Sequence, residues 1–222
     1  AHAGQRTAVS TIELSQGGCR TSLARTRALP LAHVIQGDIR RLPFSDDTFK
    51  AVYAYGVLHH LRDAGGGLRE LVRVLESTGQ LAVYLYEDFS DRAAGWRWLL
   101  QTANQLRRLT LRLPPTMLYA LCRATSPLVY LAFTIPFHLL RRVPGCRRFA
   151  MSLPFRHATG PWSLAGDLYD RFGTPVEQRY SRQHALDLFW QAGLGEVRIS
   201  RSRGWMLVGT KPLGTGAAPR RE

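Results

Sequence analysis

IQGDIRRLPFSDDTFKAVYAYGVLHHLRDAGGGLRELVRVLESTGQLAVYLY, residues Ile35 to Tyr86, is the stretch whose reading decides the fold. An apolar run from His33 to Gln36 stops at Gly37-Asp38. A second, Ala51 to Tyr55, stops at Gly56 before a polar corner that carries two histidines. Short apolar runs bounded by turn residues read as strand, loop, strand. Leu68, Leu71, Val72 and Leu75 then recur at i, i+3, i+4 and i+7, giving a helix one buried face. Gly79 is placed to take a left-handed turn into a third strand, Gln80 to Tyr86. Strands alternating with a helix pair in parallel, so the expected class is α/β with a doubly wound sheet.

Gly37-Asp38-Ile39, Leu42-Pro43-Phe44, Asp47-Thr48-Phe49, the corner Tyr55-Gly56-Val57-Leu58-His59-His60-Leu61 and Glu70-Leu71-Val72-Arg73-Val74-Leu75 follow in that order. Together they resemble the middle of class I S-adenosylmethionine-dependent methyltransferases (type 11-like). The resemblance implies a Rossmann-like, mostly parallel sheet and S-adenosyl-L-methionine as cofactor. The acceptor would be a small molecule or lipid-like. It places Glu13, at the end of a strand read over Ala8 to Leu14, on the cofactor ribose, where two acceptor oxygens match a vicinal diol. A surface glutamate beside the helix cap Ser15 is the plain alternative. Asp38 would accept the adenine amino hydrogens while the Ile39 backbone N–H donates to a ring nitrogen; a turn aspartate is the alternative. Asp46 and Asp47 read as turn residues. Tyr55, Gly56 and Val57 would line the methionine moiety.

His59 and His60 are the candidate catalytic residues, because imidazole titrates near neutral pH and can serve as a general base. Methyl transfer from a sulfonium can also run largely on positioning, in which case His59 is packed and His60 borders the pocket. Some positions depart from the family. Lys50 stands where Asp is usual, and Glu76-Ser77-Thr78-Gly79 replaces Lys-Pro-Gly-Gly. The corner has Tyr55-Gly56-Val57-Leu58 where enzymes that methylate nucleobase amines carry Asn/Asp-Pro-Pro-Tyr, which argues against such a substrate. Residues 1–8, AHAGQRTA, hold neither a G-x-G nor a strand, and Gly17-Gly18 and Gly65-Gly66-Gly67 lie in the wrong places to replace that loop. The expectation is a core lacking its first βα unit, with a weakened or rearranged sheet.

A chain of 222 residues supports one α/β domain with a core. Cys19, Cys122 and Cys146 have no metal-ligand spacing and are odd in number, which reads as reduced thiols in a cytosolic protein without a bound metal. The formal net charge is +14, and its location is informative. Between Arg92 and Gly160 there are eleven arginines and no Asp, Glu or Lys. The chain has only two lysines, so codon bias accounts for Arg in place of Lys, but not for the missing acids.

This basic stretch, 91–160, reads as a helical insertion or cap between a core over 1–90 and its C-terminal part over 161–213, with a disordered tail at 214–222. Trp96, Leu99, Leu100, Ala103, Leu106 and Leu109 predict its first helix, which Pro114-Pro115 ends. A second apolar stretch, Met117 to Leu140, is read as broken at Ser126-Pro127, an N-cap and first-turn pair, and kinked at Pro136. The thirteen residues left fall short of a membrane span of about 20, yet suit a helix lying in a membrane interface. An anionic membrane surface is therefore an expected partner, with the protein peripheral at the inner face; nucleic acid is disfavoured.

Asp167 to Phe172 is expected to close the substrate side or to be a surface loop. Ser181 to Ala192 predicts a capped helix ended by Gly193, followed by hairpin strands at Val197 to Ser200 and Trp205 to Thr210. The rival readings are a non-catalytic membrane-surface or interaction module with a methyltransferase-like shell, and an RNA-binding methyltransferase.

Overall fold

The computed structural model describes residues 7–202 and 204–213, so the tail expected to be disordered lies outside the described residues. The elements run β1 (Val9–Glu13), α1 (Gln16–Thr26), β2 (Ala32–Gln36), β3 (Phe49–Tyr55), α2 (Ala64–Val74) and β4 (Leu75–Leu85). Next come α3 (Ala94–Thr110), α4 (Pro115–Val129), α5 (Ile135–Leu140), α6 (Arg147–Ser152) and α7 (Ala165–Gly173). The chain closes with α8 (Arg182–Gln191), β5 (Gly195–Arg201) and β6 (Trp205–Thr210). It forms two units, Ala1–Asp88 with Gln178–Glu222, and Phe89–Glu177. The inserted unit thus reaches Glu177 where the sequence suggested Gly160, because α7, which carries Asp167–Phe172, packs on α3 and α4.

The first unit is the α/β, Rossmann-like part. β1 and β2 pair in parallel, with Val9 opposite Ala32 and Glu13 opposite Gln36. β3 pairs in parallel with β4, β6 runs antiparallel on the other side of β4, and β5 forms the edge. The expected single sheet is therefore divided: among the described residues β1 has β2 as its ladder partner and β3 has β4, with no strand joining the two pieces. Both pieces still share one core, since Ile12 and Ile39 pack against the cluster built from Leu58, Leu68, Leu81, Val83 and Leu207.

Alternation and helical period explain that core. Val52 and Ala54 face inward from β3 while Ala51, Tyr53 and Tyr55 face out. Ala64, Leu68, Leu71 and Val74 are the buried face of α2, whose first turn is capped by Asp63 accepting from Gly66 N at 2.7 Å. α8 has the expected cap, with Ser181 Oγ accepting from His184 N at 3.1 Å, and Gly193 takes φ +85° just beyond its end. One turn differs from expectation. Thr78 holds the positive φ of 66°, and Gly79 lies inside β4.

A polar clamp fixes the loop between β2 and β3. Arg73 reaches Glu70 at 2.8 Å, Asp46 at 2.6 Å and the carbonyls of Leu42 and Phe44, while Leu42 N donates to Glu70 at 2.7 Å. The Arg73 guanidinium hydrogen-bonded to Glu70 holds that carboxyl below its usual range. A depressed folded pKa means the clamp contributes stability above the unfolded carboxyl pKa, about 4.3, and loses it as pH falls through the folded value. Glu70→Gln should therefore flatten the acid limb of stability below about pH 4 in a urea-denaturation series. An acid limb as steep as the parent's would remove Glu70 from that account.

In the second unit, Leu118, Cys122, Leu164 and Leu168 form the core where α4 meets α7. The break expected at Ser126-Pro127 does not occur. Pro115–Leu140 is one helical rod of 26 residues, long and apolar enough to cross a membrane. Ser126 spends its hydroxyl on Pro161 O, 2.6 Å away, instead of capping a new helix. A π turn at Tyr130–Thr134 absorbs a change of register ahead of Pro136, and Thr134 Oγ1 donates to Phe155 O at 2.8 Å. α3 ends ahead of Pro114-Pro115 as expected, and Pro115 occupies the first turn of α4, where a missing N–H costs nothing.

Candidate functional site

Because β1 and β2 run parallel and in register, Glu13 and the residues just after Gln36 emerge at the same sheet end, tied by Gly37 N donating to Glu13 O at 3.0 Å. The Glu13 carboxylate lies over the first turn of α1 and accepts from Ser22 Oγ at 3.0 Å. It can do so because residue 18 is glycine: a Cβ there would sit 2.7 Å from Glu13 Oε2. Ser15 Oγ caps the same turn, accepting from Gly18 N at 3.0 Å, so the helix-cap reading of Ser15 is correct whatever Glu13 binds.

Asp38 lies two residues beyond β2. Its carboxylate accepts from Arg40 N at 2.9 Å and from the Arg40 guanidinium through both oxygens, with the Oδ2 to Nη2 contact at 2.5 Å. Those side-chain bonds from Arg40 hold the Asp38 carboxyl below its ordinary range. The aspartate thus organises its own turn, and any adenine contact has to displace or share Arg40. Ile39, the backbone-donor candidate, has its side chain packed against the edge of the core.

The ends of β3 and β4 form an aromatic corner. Tyr55 lies opposite Tyr84 in the ladder, and the rings stack at 4.4 Å. Tyr53 stacks on Tyr55 at 6.0 Å. Gly56 has φ +76° with open space where a Cβ would stand, so the glycine is needed for the turn itself and leaves its backbone approachable. Val57 is exposed at the start of the one-turn 3-10 helix Leu58–His60.

The two histidines differ sharply. His59 is fully buried, stacked on Tyr86 at 3.8 Å, and its carbonyl accepts from Gln178 N at 2.7 Å. His60 sits beside it at 4.3 Å and remains partly open to solvent. His59 therefore occupies the packed position, and only His60 of the pair is open to solvent.

Several residues here escape a reading of the sequence. Tyr84 and Tyr86 leave β4 on one face because they are two residues apart, and β4 parallel to β3 brings them to the corner. Arg179 lies over the Tyr86 ring at 5.2 Å and donates to Glu87 O. The Glu87 side chain is buried and accepts from Arg201 Nε at 3.0 Å. The signal for the tyrosines is present as Tyr-Leu-Tyr at a strand end. That for Arg179 and Glu87 is not, since their contacts span about ninety residues. Among the described residues no group of three His, Cys, Asp or Glu is placed to hold a metal ion.

The site thus offers carboxylates at two strand ends, an approachable backbone turn at a third, and an aromatic wall with one accessible imidazole. Residues 1–83 match the family described as methyltransferase domain. A demethylmenaquinone methyltransferase of Mycobacterium sp. (strain KMS) is 31% identical over 139 residues, covering 58% of this chain and 56% of that protein. One of Corynebacterium kroppenstedtii is 40% identical over 87 residues, 35% of this chain and 37% of its own. The chain spans about half the length of the first of these relatives. In solved structures, a chain from the complex of the Haloferax volcanii Trm112 methyltransferase activator with a candidate methyltransferase aligns with a TM-score of 0.51 at 11% identity. It covers 95% of this chain and 74% of that one. A candidate O-methyltransferase of Nostoc punctiforme aligns with a TM-score of 0.50 at 13% identity, covering 92% and 45%. At such identities the likeness concerns the fold.

Proposed function

We infer that this chain is a class I S-adenosylmethionine-dependent methyltransferase that acts on a small, lipid-like acceptor. The observation that carries the reading is the arrival of Glu13, Asp38 and the Tyr55–His60 corner at the C-terminal ends of β1, β2 and β3, where parallel sheets place their ligands. The methyltransferase-domain match over residues 1–83 includes all three.

The residues fit the cofactor in part. Glu13 would hold the ribose diol, its carboxylate already oriented by Ser22. The backbone at Gly56, bordered by Tyr55 and Val57, would receive the methionine end, because nothing stands within 4 Å of its missing Cβ. Asp38 and the Ile39 N–H would read the adenine once Arg40 yields. Bound there, S-adenosylmethionine supplies a methyl group already activated by its sulfonium, so the protein's task is chiefly to position. His60 would take a proton from the acceptor if one must leave. The name carried by the relatives, demethylmenaquinone methyltransferase, supports a lipid-like quinone as the acceptor class. The exposed arginines of the acid-free stretch 92–160, Arg141 and Arg142 among them, support a peripheral place at the inner face of an anionic membrane, where such an acceptor dissolves.

The test is a calorimetric titration of S-adenosylmethionine into the 222-residue chain and, if the coding sequence extends ahead of Ala1, into that longer protein. Glu13→Ala should weaken binding by roughly tenfold to a hundredfold through the lost charge-assisted hydrogen bonds, without lowering the melting temperature. Equal affinity of variant and parent would remove the ribose role. Absence of binding by either protein would reduce the reading to a shared fold.

A further inference from the structure

We propose that the rod Pro115–Leu140 lies in the plane of an anionic membrane, with one apolar stripe inserted among the lipid tails. The proposal rests on the peripheral placement above and names the surface that makes it. Along the rod, Met117, Leu121, Leu128, Leu131 and Leu139 are exposed by 45% to 66%. Their spacings of 4, 7, 3 and 8 residues keep them on one side of a helix. At about 1.5 Å per residue that stripe is roughly 33 Å long. Leu118, Cys122, Ser126, Thr134 and Phe137, on the opposite side, are buried.

Exposed leucines over such a length need a cover, and the charges say which. The only Asp, Glu, Lys or Arg within the rod is Arg123, and Arg141-Arg142 follow its end directly, both exposed. α6 continues with Arg147 and Arg148 beside exposed Phe149 and Met151. No acid occurs anywhere from Arg92 to Gly160, so a protein partner's cations would find no counter-charge, whereas lipid phosphates match guanidinium geometry. Apolar stripes bordered by arginine are what an interface between headgroups and tails accepts.

The rod cannot be ringed by lipid. α4 packs on α7, which carries Asp167 and Asp170, and a transmembrane pose would take those carboxylates into hydrocarbon. The hydroxyls of Ser126 and Thr134 are likewise bonded to carbonyls of residues 161 and 155. Only the outer side is available, which fixes an in-plane orientation.

Flotation of the full chain with phosphatidylcholine vesicles, with and without phosphatidylglycerol, tests this from about 0.1 M to about 1 M NaCl. The chain should float with the anionic vesicles and remain partly bound at the highest salt. Leu121→Glu with Leu128→Glu should lower partitioning at least about tenfold while circular dichroism and thermal unfolding stay at parent values, both positions being solvent-facing. A Leu128→Trp variant should float like the parent, and its added indole should be quenched by lipids brominated on the acyl chain. Parent-like flotation of the double glutamate variant, complete release at high salt, or no added quenching in the Leu128→Trp variant would each overturn the proposal. Resistance to alkaline carbonate extraction would overturn the in-plane orientation in favour of a span. None of these readouts involves S-adenosylmethionine, so failure here leaves the titration above to judge the enzyme reading separately.

Discussion

Arg107→Met should lower the stability of the unit Phe89–Glu177 by about 3–5 kcal/mol, the cost typical of breaking a buried ion pair from one side. Arg107 bonds Glu177 at 2.5 Å and Asn104 Oδ1 at 2.6 Å, and the Arg107 and Glu177 side chains are only 14% and 5% exposed. Removing the guanidinium takes the Arg107 partner away from a carboxylate that is largely desolvated. The loss should be largely recovered in Arg107→Met with Glu177→Leu, because two apolar side chains need no compensation. Urea denaturation of the two single variants and the double variant measures the coupling directly. A double variant as unstable as Arg107→Met would sink the argument, as would a single substitution costing less than about 1 kcal/mol. The pair also sorts the arginines by task. Arg107 lines a cleft of about 250 Å3 with Arg108, Leu111 and Pro175 and is already neutralised by Glu177, so it contributes little to a lipid-facing charge. Arg141 and Arg142 have no such acid beside them in sequence and are exposed.

That distinction is invisible in the sequence, where all eleven arginines look alike. Local patterns carry the elements well. Trp205–Thr210 is the strand read from alternation, and Ser181 and Gly193 bracket α8 as their chemistry requires. Those features depend on residues within one turn of each other. Pattern reading fails where a side chain has a distant partner. Ser126-Pro127 has the form of a helix start, yet the seryl hydroxyl is claimed by Pro161 O, thirty-five residues on, and the helix runs through. Asp167–Phe172 reads as an element closing the substrate side or as a surface loop, but it is part of helix α7, which packs on α3 and α4 within the inserted unit.

The site shows the same division. Alternation and turns place Glu13, Asp38 and Tyr55–His60 at strand ends, while the roles expected of them come from the family resemblance alone. Which of His59 and His60 is accessible cannot, because it depends on Tyr86 covering one ring. The clamp of Arg40 on Asp38 is local, two residues apart, and is within reach of the Asp-Ile-Arg spacing. Among the described residues no strand joins β1 to β3, and Tyr53 and Tyr55 on β3 are exposed, which depends on sheet pairing and not on any local pattern.

Tyr180→Ala should cost about 3–5 kcal/mol of the first unit's stability, and Tyr180→Phe about 1 kcal/mol. Tyr180 is 1% exposed and is the largest fully buried side chain among the described residues, so alanine leaves a cavity under the end of β4. Its backbone is as fully bonded as its hydroxyl: N donates to Tyr86 O at 2.9 Å, and its carbonyl accepts from Asp88 N and from Trp205 Nε1. The hydroxyl donates to Gln178 Oε1 at 2.8 Å. Gln178 in turn gives its amide to the carbonyls of Leu61 and Arg62 and its backbone N–H to His59 O. The phenol therefore steadies, through one glutamine, the corner that holds both histidines.

Burial pushes the Tyr180 hydroxyl up to about 12. A raised folded pKa stabilises the fold fully below the unfolded phenol value of about 10 and loses that contribution as pH climbs toward the folded one. Tyr180→Phe should consequently be less stable than the parent near neutral pH but lose less stability between about pH 10 and 12. Denaturation curves across that range, paired with hydrogen exchange at the Leu58–His60 turn, test both halves. Parallel alkaline limbs for parent and variant would mean that Tyr180 is not the group titrating. Unchanged exchange at the turn would confine the residue to the core and free the corner from its control.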